Sequence, residues 1–459
     1  MKQTDILKQV KNCIRIVIIN VVLILVLSEL TGLFAVYVKY GKFFYVIEKK
    51  QLITSSSKSQ LLNKKLALHP FFGYIHQPGV SVSSLITDRD RLERLYEDGF
   101  PPPWNDLQTN NYGFFSDYAY PFEPTNNTDY IVGIFGGSVA HWLAVQGADQ
   151  IKQRLADLPA LKQRTLVVLN FAQRGFKQPQ QLHVLAYFMA CGQKFDFIIN
   201  LDGFNELALS TRNDSSNIDI AMPSAPHILP LLSLIEQPSL TPEFLNALLE
   251  TKQTKQSIQK TDSMIRNTRS AALFVLLKAY HQKKKLAYWE AVNVFEKMTT
   301  ESKKTNLVII NKARNPQPGI NLFSEMTDIW MNSSLLMHSL LNGKKIPYLH
   351  VIQPNQYFSK KVLSNEEKTF AVWEKSPYKD PIENGYSFLV DRIPIMRSKG
   401  VPIISGVNLF EDISETIYSD SCCHLNQLGN EILADFIADK MIAMIKEKKG
   451  TNSREPSAH

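Results

Sequence analysis

The stretch Ile131-Val132-Gly133-Ile134-Phe135-Gly136-Gly137-Ser138-Val139-Ala140 constrains the fold of this chain more than any other. Its apolar, partly β-branched run reads as a strand buried on both faces, as in a parallel sheet. Two glycines and a serine end it, and His141-Trp142-Leu143-Ala144-Val145 continues as a helix opening. A serine there stands where a strand's carboxyl end meets a helix N-terminus, the edge at which open α/β sheets bind ligands. Gly136 and Gly137 accept the backbone angles of a tight turn and let a substrate approach. A plain glycine turn with a capping serine fits the same ten residues, so the rest of the chain must decide.

The following segments repeat the pattern. A second strand, Thr165 to Asn170, runs into Phe171-Ala172-Gln173-Arg174-Gly175, and a helix is expected from Gln178 to Ala190. A third strand, Phe195 to Leu201, runs into Asp202-Gly203-Phe204-Asn205-Glu206. Strands separated by helical stretches predict right-handed βαβ units and a parallel sheet. A helical insertion, about 214–342, interrupts the rhythm, with helical patterns over Ile265–Tyr280 and Leu286–Met298. Its run Ala271–Leu277 is too short to cross a bilayer and is expected to be buried in the insertion. Strands return at Ile346–Gln353 and Pro402–Ser405, and a last helix, about Asn426 to Ile445, carries apolar residues at helical spacing.

The ends set the location. Residues 14–38 are almost continuously apolar and long enough for one membrane-spanning helix. Lys2, Lys8, Lys11 and Arg15 precede this span, which favours a cytoplasmic N-terminus at 1–13 and the bulk of the chain outside. Lys39, Lys42, Lys49 and Lys50 follow it and weaken the bias. A cleaved signal peptide is the rival reading, against which stand the length of the run and the lack of a small-x-small site. Residues 39–128 read as a connector packed on the domain at 129–445, and 446–459 as a disordered tail. The net charge of +8 comes largely from lysines at the ends and in short runs, with no aromatic interleaving or nucleic-acid module. Four cysteines, Cys13, Cys191, Cys422 and Cys423, lack C-x-x-C spacing, so no zinc site is implied, and no cofactor is expected.

Near the C-terminal helix, Tyr418-Ser419-Asp420-Ser421-Cys422-Cys423-His424 sets a carboxylate beside an imidazole. A serine hydroxyl becomes a nucleophile once a base takes its proton, and a histidine held by a carboxylate is suited to that. The backbone N–H groups of Ser138 and Gly175 and the amide of Asn205 are candidate donors to an oxyanion.

Gly136-Gly137-Ser138, Gly175, Gly203-Phe204-Asn205 and the C-terminal Asp–His pair resemble the four blocks of the SGNH (GDSL-like) hydrolase superfamily, over roughly 129–445. The likeness is to membrane-anchored bacterial members whose first block reads G-G-S. The resemblance implies a flavodoxin-like three-layer α/β/α sandwich and a metal-free serine esterase. By position it makes Ser138 the nucleophile, Gly175 and Asn205 the rest of the oxyanion hole, and His424 the base. Its implied substrate is an ester, such as O-acyl (acetyl) groups on envelope polysaccharide or glycolipid, hydrolysed or transferred. The family's last block reads Asp-x-x-His, but here Ser421 stands three before His424 and Asp420 four before. Asp420 is the candidate orienter, with Glu411, Asp412 and Glu415 as alternatives. That offset keeps open a non-catalytic binding or assembly role; a lipase or phospholipase is a third reading.

Other features have plainer readings. His141 is expected at the surface or in packing, Gln173 and Arg174 as solvated loop residues, and Asp202 with Glu206 lacks the His or Cys that a metal pair would need. Gly136-x-Ser138-x-Ala140 also approaches the G-x-S-x-G elbow of α/β-hydrolases, but there the acid and histidine are not neighbours in sequence.

Overall fold

The computed structural model describes residues 2–46, 65–81, 106–124, 128–232, 242–301, 310 and 321–452. The chain forms two compact units: Met1–Ser56 with Asn246–Val294, and Ser57–Leu245 with Phe295–His459.

The larger unit is mixed α/β around a five-stranded parallel sheet. Its strands are β3 (Asp129–Gly136), β4 (Thr165–Asn170), β5 (Phe197–Asp202), β6 (Tyr348–Ile352) and β7 (Ile403–Ser405), in the spatial order β4-β3-β5-β6-β7. Every pairing is parallel; Ile134, for example, stands opposite Asn170 on one side and Ile199 on the other. Among these five strands the order is 2-1-3-4-5, which reverses between β3 and β5, and the ends of those two strands flank the crevice where such sheets bind ligands. All residues of β3, β5 and β6 are buried, as their largely apolar runs predict, and the polar Asp129, Asn200, Asp202 and His350 are buried with them.

Helices α2 (Ser138–Gln146), α3 (Ala148–Ala156) and α12 (Gln427–Asn452) pack together, with α2 also against β3. Helices α5 (Phe204–Ser215), α9 (Leu322–Asn342) and α11 (Lys379–Ser398) form another group, in which α9 reaches β6 and α11 reaches β7. Helix α4 (Gln180–Ala190) bridges β4 and β5 in sequence, α6 (Ala225–Leu232) packs on the hairpin described next, and α10 (Glu367–Phe370) is one turn.

The described part of the connector holds regular structure that its sequence does not announce. Residues Leu66–His69 (β1) and Gly73–His76 (β2) form an antiparallel hairpin, because Phe72 and Tyr74 bury completely in the core of this unit. The segment Pro101–Trp104 lies outside the described residues. The expected disordered tail is partly helix, since α12 continues to Asn452; residues 453–459 lie outside the described residues.

The smaller unit holds helix α1 (Lys2–Tyr40), of which Cys13–Tyr40 is long and apolar enough to cross a membrane. It also holds most of α7 (Pro242–Asn267) and α8 (Ala271–Glu301). The helix expected over Ile265–Tyr280 is broken at Thr268–Ser270, where the Ser270 hydroxyl accepts the Leu273 N–H and starts a new helix. The pattern expected separately over Leu286–Met298 belongs to that same α8. Ala271–Leu277 is also not fully buried as expected. Ala271, Phe274 and Leu277 pack against Val36, Phe44 and Ile265, while Leu273 and Leu276 face outward.

Candidate functional site

The strand β3 ends at Gly136, where φ is +146° and an added Cβ would lie 2.1 Å from the Leu201 carbonyl oxygen of β5. Only glycine fits this turn. Ser138 is therefore the first residue of α2, 8% exposed at the carboxyl rim of the sheet. The first N–H groups of a helix have no carbonyl one turn behind them, so they point at the rim with the positive end of the helix dipole.

His424, 286 residues along the chain, brings Nε2 to 2.8 Å from the Ser138 hydroxyl oxygen. Its Nδ1 lies 2.5 Å from Asp420 Oδ2. With a carboxylate accepting at Nδ1–H, the nitrogen facing Ser138 is the acceptor. The offset from Asp-x-x-His is absorbed by the loop. Asp420 Oδ1 accepts the N–H groups of Cys422, Cys423 and His424, so one carboxylate oxygen closes the turn while the other holds the ring. An antiparallel bridge between Tyr418 and Leu425 and a bond from Ser419 N–H to the His424 carbonyl tie off its base. Of the alternative acids, Glu411 stands 3.9 Å from Lys360 and Glu415 presents its carbonyl to Lys361; Asp420 is the carboxylate at His424 among the described residues.

Asn205 opens α5, just past the end of β5, and its Nδ2 donates to the Phe176 carbonyl at 2.7 Å. That leaves the second proton of the amide free to point at the rim. Gly137 makes room for it, since a Cβ there would lie 2.2 Å from Asn205 Nδ2. Gly175 has φ +77°, and a Cβ would meet His227 at 2.2 Å. The Tyr74 hydroxyl donates to the Arg174 carbonyl at 3.0 Å, so the β1–β2 hairpin braces this loop. Tyr74 stacks on His227, whose ring also pairs with Ser224. Burial pushes both His227 and His76 down to about 3, which keeps them neutral.

A network lies behind the rim. Glu206 accepts the N–H groups of Gly203 and Gln178, joining the turns after β5 and β4. Burial, reinforced by the neighbouring Asp202 charge, raises it to about 8. Burial lowers Lys177 to about 7. Asp202 accepts from Trp330 Nε1 at 2.6 Å and from Asn200 Nδ2 at 2.7 Å, and its Oδ1 lies 2.8 Å from His350 Nε2. Ser334 Oγ is 2.7 Å from His350 Nδ1, so Ser334, His350 and Asp202 form a second serine–histidine–aspartate string. Its members are 0%, 0% and 2% exposed, out of reach of any substrate. It anchors α9 to the sheet and satisfies a buried carboxylate. The Asp202–Glu206 pair is thus committed to internal bonds, as a structural role predicts.

His141 is a packing residue, buried, with Nδ1 3.2 Å from Asn170 Nδ2. Gln173 is a correction: it is 1% exposed, not solvated, and its side chain accepts the Arg174 N–H. Sequence reasoning missed Asn355, Gln356 and Tyr357, which follow β6 and donate to the carbonyls of Cys422, Asp420 and Ser421. Their signal was the polar run Gln353-Pro354-Asn355-Gln356-Tyr357 after an apolar strand. It missed also the fully buried pair Lys361–Glu367, at 2.9 Å, in which Glu367 accepts the N–H groups of Ile417 and Tyr418. Cys422 and Cys423 are free thiols with sulfurs 3.7 Å apart, and with His424 they are the described group that could hold a metal; that histidine already faces Asp420 and Ser138. A cleft of about 460 Å³, lined by Asp129, Arg164, Lys194 and Lys344 among others, opens near the start of β3 and includes no residue of the serine–histidine rim. Neither protein-family models nor curated protein sequences give a match to this chain.

Proposed function

We propose that this chain is a membrane-anchored serine hydrolase of the SGNH type, an esterase or O-acyltransferase working through an acyl-enzyme on Ser138. The observation that carries the reading is the continuous line from Asp420 through His424 to Ser138, at 2.5 and 2.8 Å, at a strand's carboxyl end. In this mechanism the Ser138 oxygen attacks the ester carbonyl as His424 Nε2 takes its proton, and the imidazolium is held by Asp420. The oxyanion meets the backbone N–H groups of Ser138 and Gly175 and the spare Asn205 amide proton. His424 then gives its proton to the departing alcohol. Water, or an acceptor hydroxyl in the transferase, attacks the acyl-enzyme through the same base.

The 2-1-3-4-5 strand order and the helix groups support the flavodoxin-like α/β/α sandwich that goes with this reading. Ser138 and His424 are only 8% and 7% exposed, which suits a short acyl group such as acetyl better than a lipid chain. The apolar part of α1, with Lys8, Lys11 and Arg15 at its N-terminal end, supports an extracytoplasmic site and hence O-acylated envelope polysaccharide or glycolipid as substrate. A fluorophosphonate probe tests the reading: wild type labels, and Ser138→Ala and His424→Ala do not. Absence of labelling in folded wild type overturns it.

A further inference from the structure

The anchor helix carries a carboxylate, Glu29, within its apolar span, and such a group in a membrane helix is costly unless it has partners. The Tyr45 hydroxyl donates to it at 3.4 Å, and its other partners are in the insertion. Glu29 accepts from the Ser270 hydroxyl at 2.5 Å and from the backbone N–H groups of Ala271 and Ala272 at 2.6 and 3.3 Å. These are the orphan donors at the start of α8, so the carboxylate caps that helix and meets the positive end of its dipole. Three residues on, Gly32 allows backbone contact, because a Cβ there would lie 2.3 Å from the Ala272 nitrogen. Above this clamp Val36 and Phe44 are buried against Ile265, Ala271, Phe274 and Leu277. A signal peptide destined for removal has no use for such contacts.

The clamp has a definite height. Gly32 is 18 residues past Ile14, about 27 Å along a helix, against about 30 Å for a bilayer's hydrocarbon core. The turn between α7 and α8 therefore sits at the outer edge of the hydrocarbon, and α8 rises from it beside α1. Rising from that level, α8 exposes Leu273 (45%), Leu276 (66%) and Tyr280 (49%), one face at spacings of three and four. Exposed Lys39 and Lys42 lie farther out along the chain that continues from Gly32, at the level of lipid phosphates.

We infer that this turn and the first three turns of α8 are a second, interfacial membrane contact, laying Leu273, Leu276 and Tyr280 into the outer leaflet of lipid beside the anchor. The inference rests on the reading of α1 as an uncleaved anchor. Apolar side chains at the acyl boundary, an aromatic at headgroup level and basic groups above match how interfacial helices bind. The clamp makes the anchor and the α7–α8 turn one body at the membrane.

The test uses the full-length protein in phosphatidylcholine–phosphatidylglycerol vesicles, with native cysteines replaced by serine and a polarity-sensitive fluorophore on Leu276→Cys, Asn293→Cys or Leu23→Cys. Asn293 lies about 26 Å farther along α8 and reports water. Lipids carrying a nitroxide near the top of the acyl chain should quench the label at position 276 roughly twofold or more, with a blue shift, and leave the one at 293 unaffected. A label at 276 that behaves like the one at 293, while position 23 is quenched by nitroxide deep in the chain, overturns the inference. An unquenched label at 23 overturns the anchor reading and the inference with it. Adding Gly32→Leu should release the 276 label from quenching and leave the label at 23 unchanged; unchanged quenching at 276 overturns the clamp.

Discussion

On the proposed acyl-enzyme mechanism, replacing Gly137 by alanine should disable the oxyanion site while leaving the fold intact. Gly137 has φ −88° and ψ −152°, a conformation open to alanine, so the backbone gains no strain. The new methyl carbon would stand 2.2 Å from Asn205 Nδ2, where ordinary contact begins at 3.4 Å, so the amide must retreat by about 1.2 Å. That movement breaks its bond to the Phe176 carbonyl, a loss of about 1 kcal/mol, partly offset by the lower chain entropy of unfolded alanine. It also removes one oxyanion donor, worth about 10²–10³ in kcat, or roughly 3–4 kcal/mol of transition-state stabilisation. The assay is turnover of p-nitrophenyl acetate by wild type, Gly137→Ala, Asn205→Ala and the double variant, each with an unfolding midpoint. The expected result is two single variants of similarly low kcat and a double variant scarcely lower than either, because both substitutions strike the same donor. A folded Gly137→Ala that keeps wild-type kcat, or a double variant whose losses multiply, refutes the assignment of Asn205.

Other consequences are as direct. Asp420→Asn should cut kcat by roughly 10⁴-fold, since the amide favours the wrong tautomer of His424, and should loosen the 420–424 turn; a variant near wild-type rate removes Asp420 from the mechanism. Lys361→Ala leaves Glu367 charged and buried beneath Ile417 and Tyr418 and should cost about 3–5 kcal/mol by urea unfolding; a cost below about 1 kcal/mol contradicts the buried pair. His76 and His227 are held near 3 in the folded protein against about 6.5 unfolded, so the unfolded chain alone takes up protons between these values. Their contribution is complete above about pH 6.5 and is lost as pH falls toward 3, on the order of 2 kcal/mol each by pH 5. A urea midpoint that holds steady from pH 7 to pH 5 is evidence against it, and His76→Gln should flatten the fall. Glu206, raised to about 8, works in the opposite sense: the unfolded side chain ionises first, so stability drops as pH rises from about 4.5 to 8, and Glu206→Gln should remove that slope in a urea titration.

The parts of the fold that local chemistry determines were legible. Strands β3, β4 and β5 are apolar runs ending in glycine-containing or polar turns, and both the parallel sheet and the meeting of Ser138 with Asn205 follow from that repetition. What decides the remainder is tertiary. The α7–α8 break at Thr268–Ser270 interrupts an otherwise helical pattern because Glu29, some 240 residues away, offers a cap to a new helix start. The half-exposure of Ala271–Leu277 likewise has no local cause; one face is buried by α1. Hairpin β1–β2 gains its order from Phe72 and Tyr74 entering a distant core. Asp420 illustrates the intermediate case: its spacing looked one residue too long, and the three N–H groups bonded to its second oxygen show how the turn takes up the extra residue. The Ser334–His350–Asp202 string carries the residue types of a catalytic triad, and only its burial reveals that it is structural.

Brief exposure to p-nitrophenyl acetate followed by acid quench and peptide mapping by mass spectrometry tests the central claim most directly. The account predicts one acetyl group on the peptide that holds Ser138, present in wild type and missing from His424→Ala. An adduct on any other residue, or one that accumulates on Ser138 equally fast without the imidazole, contradicts it.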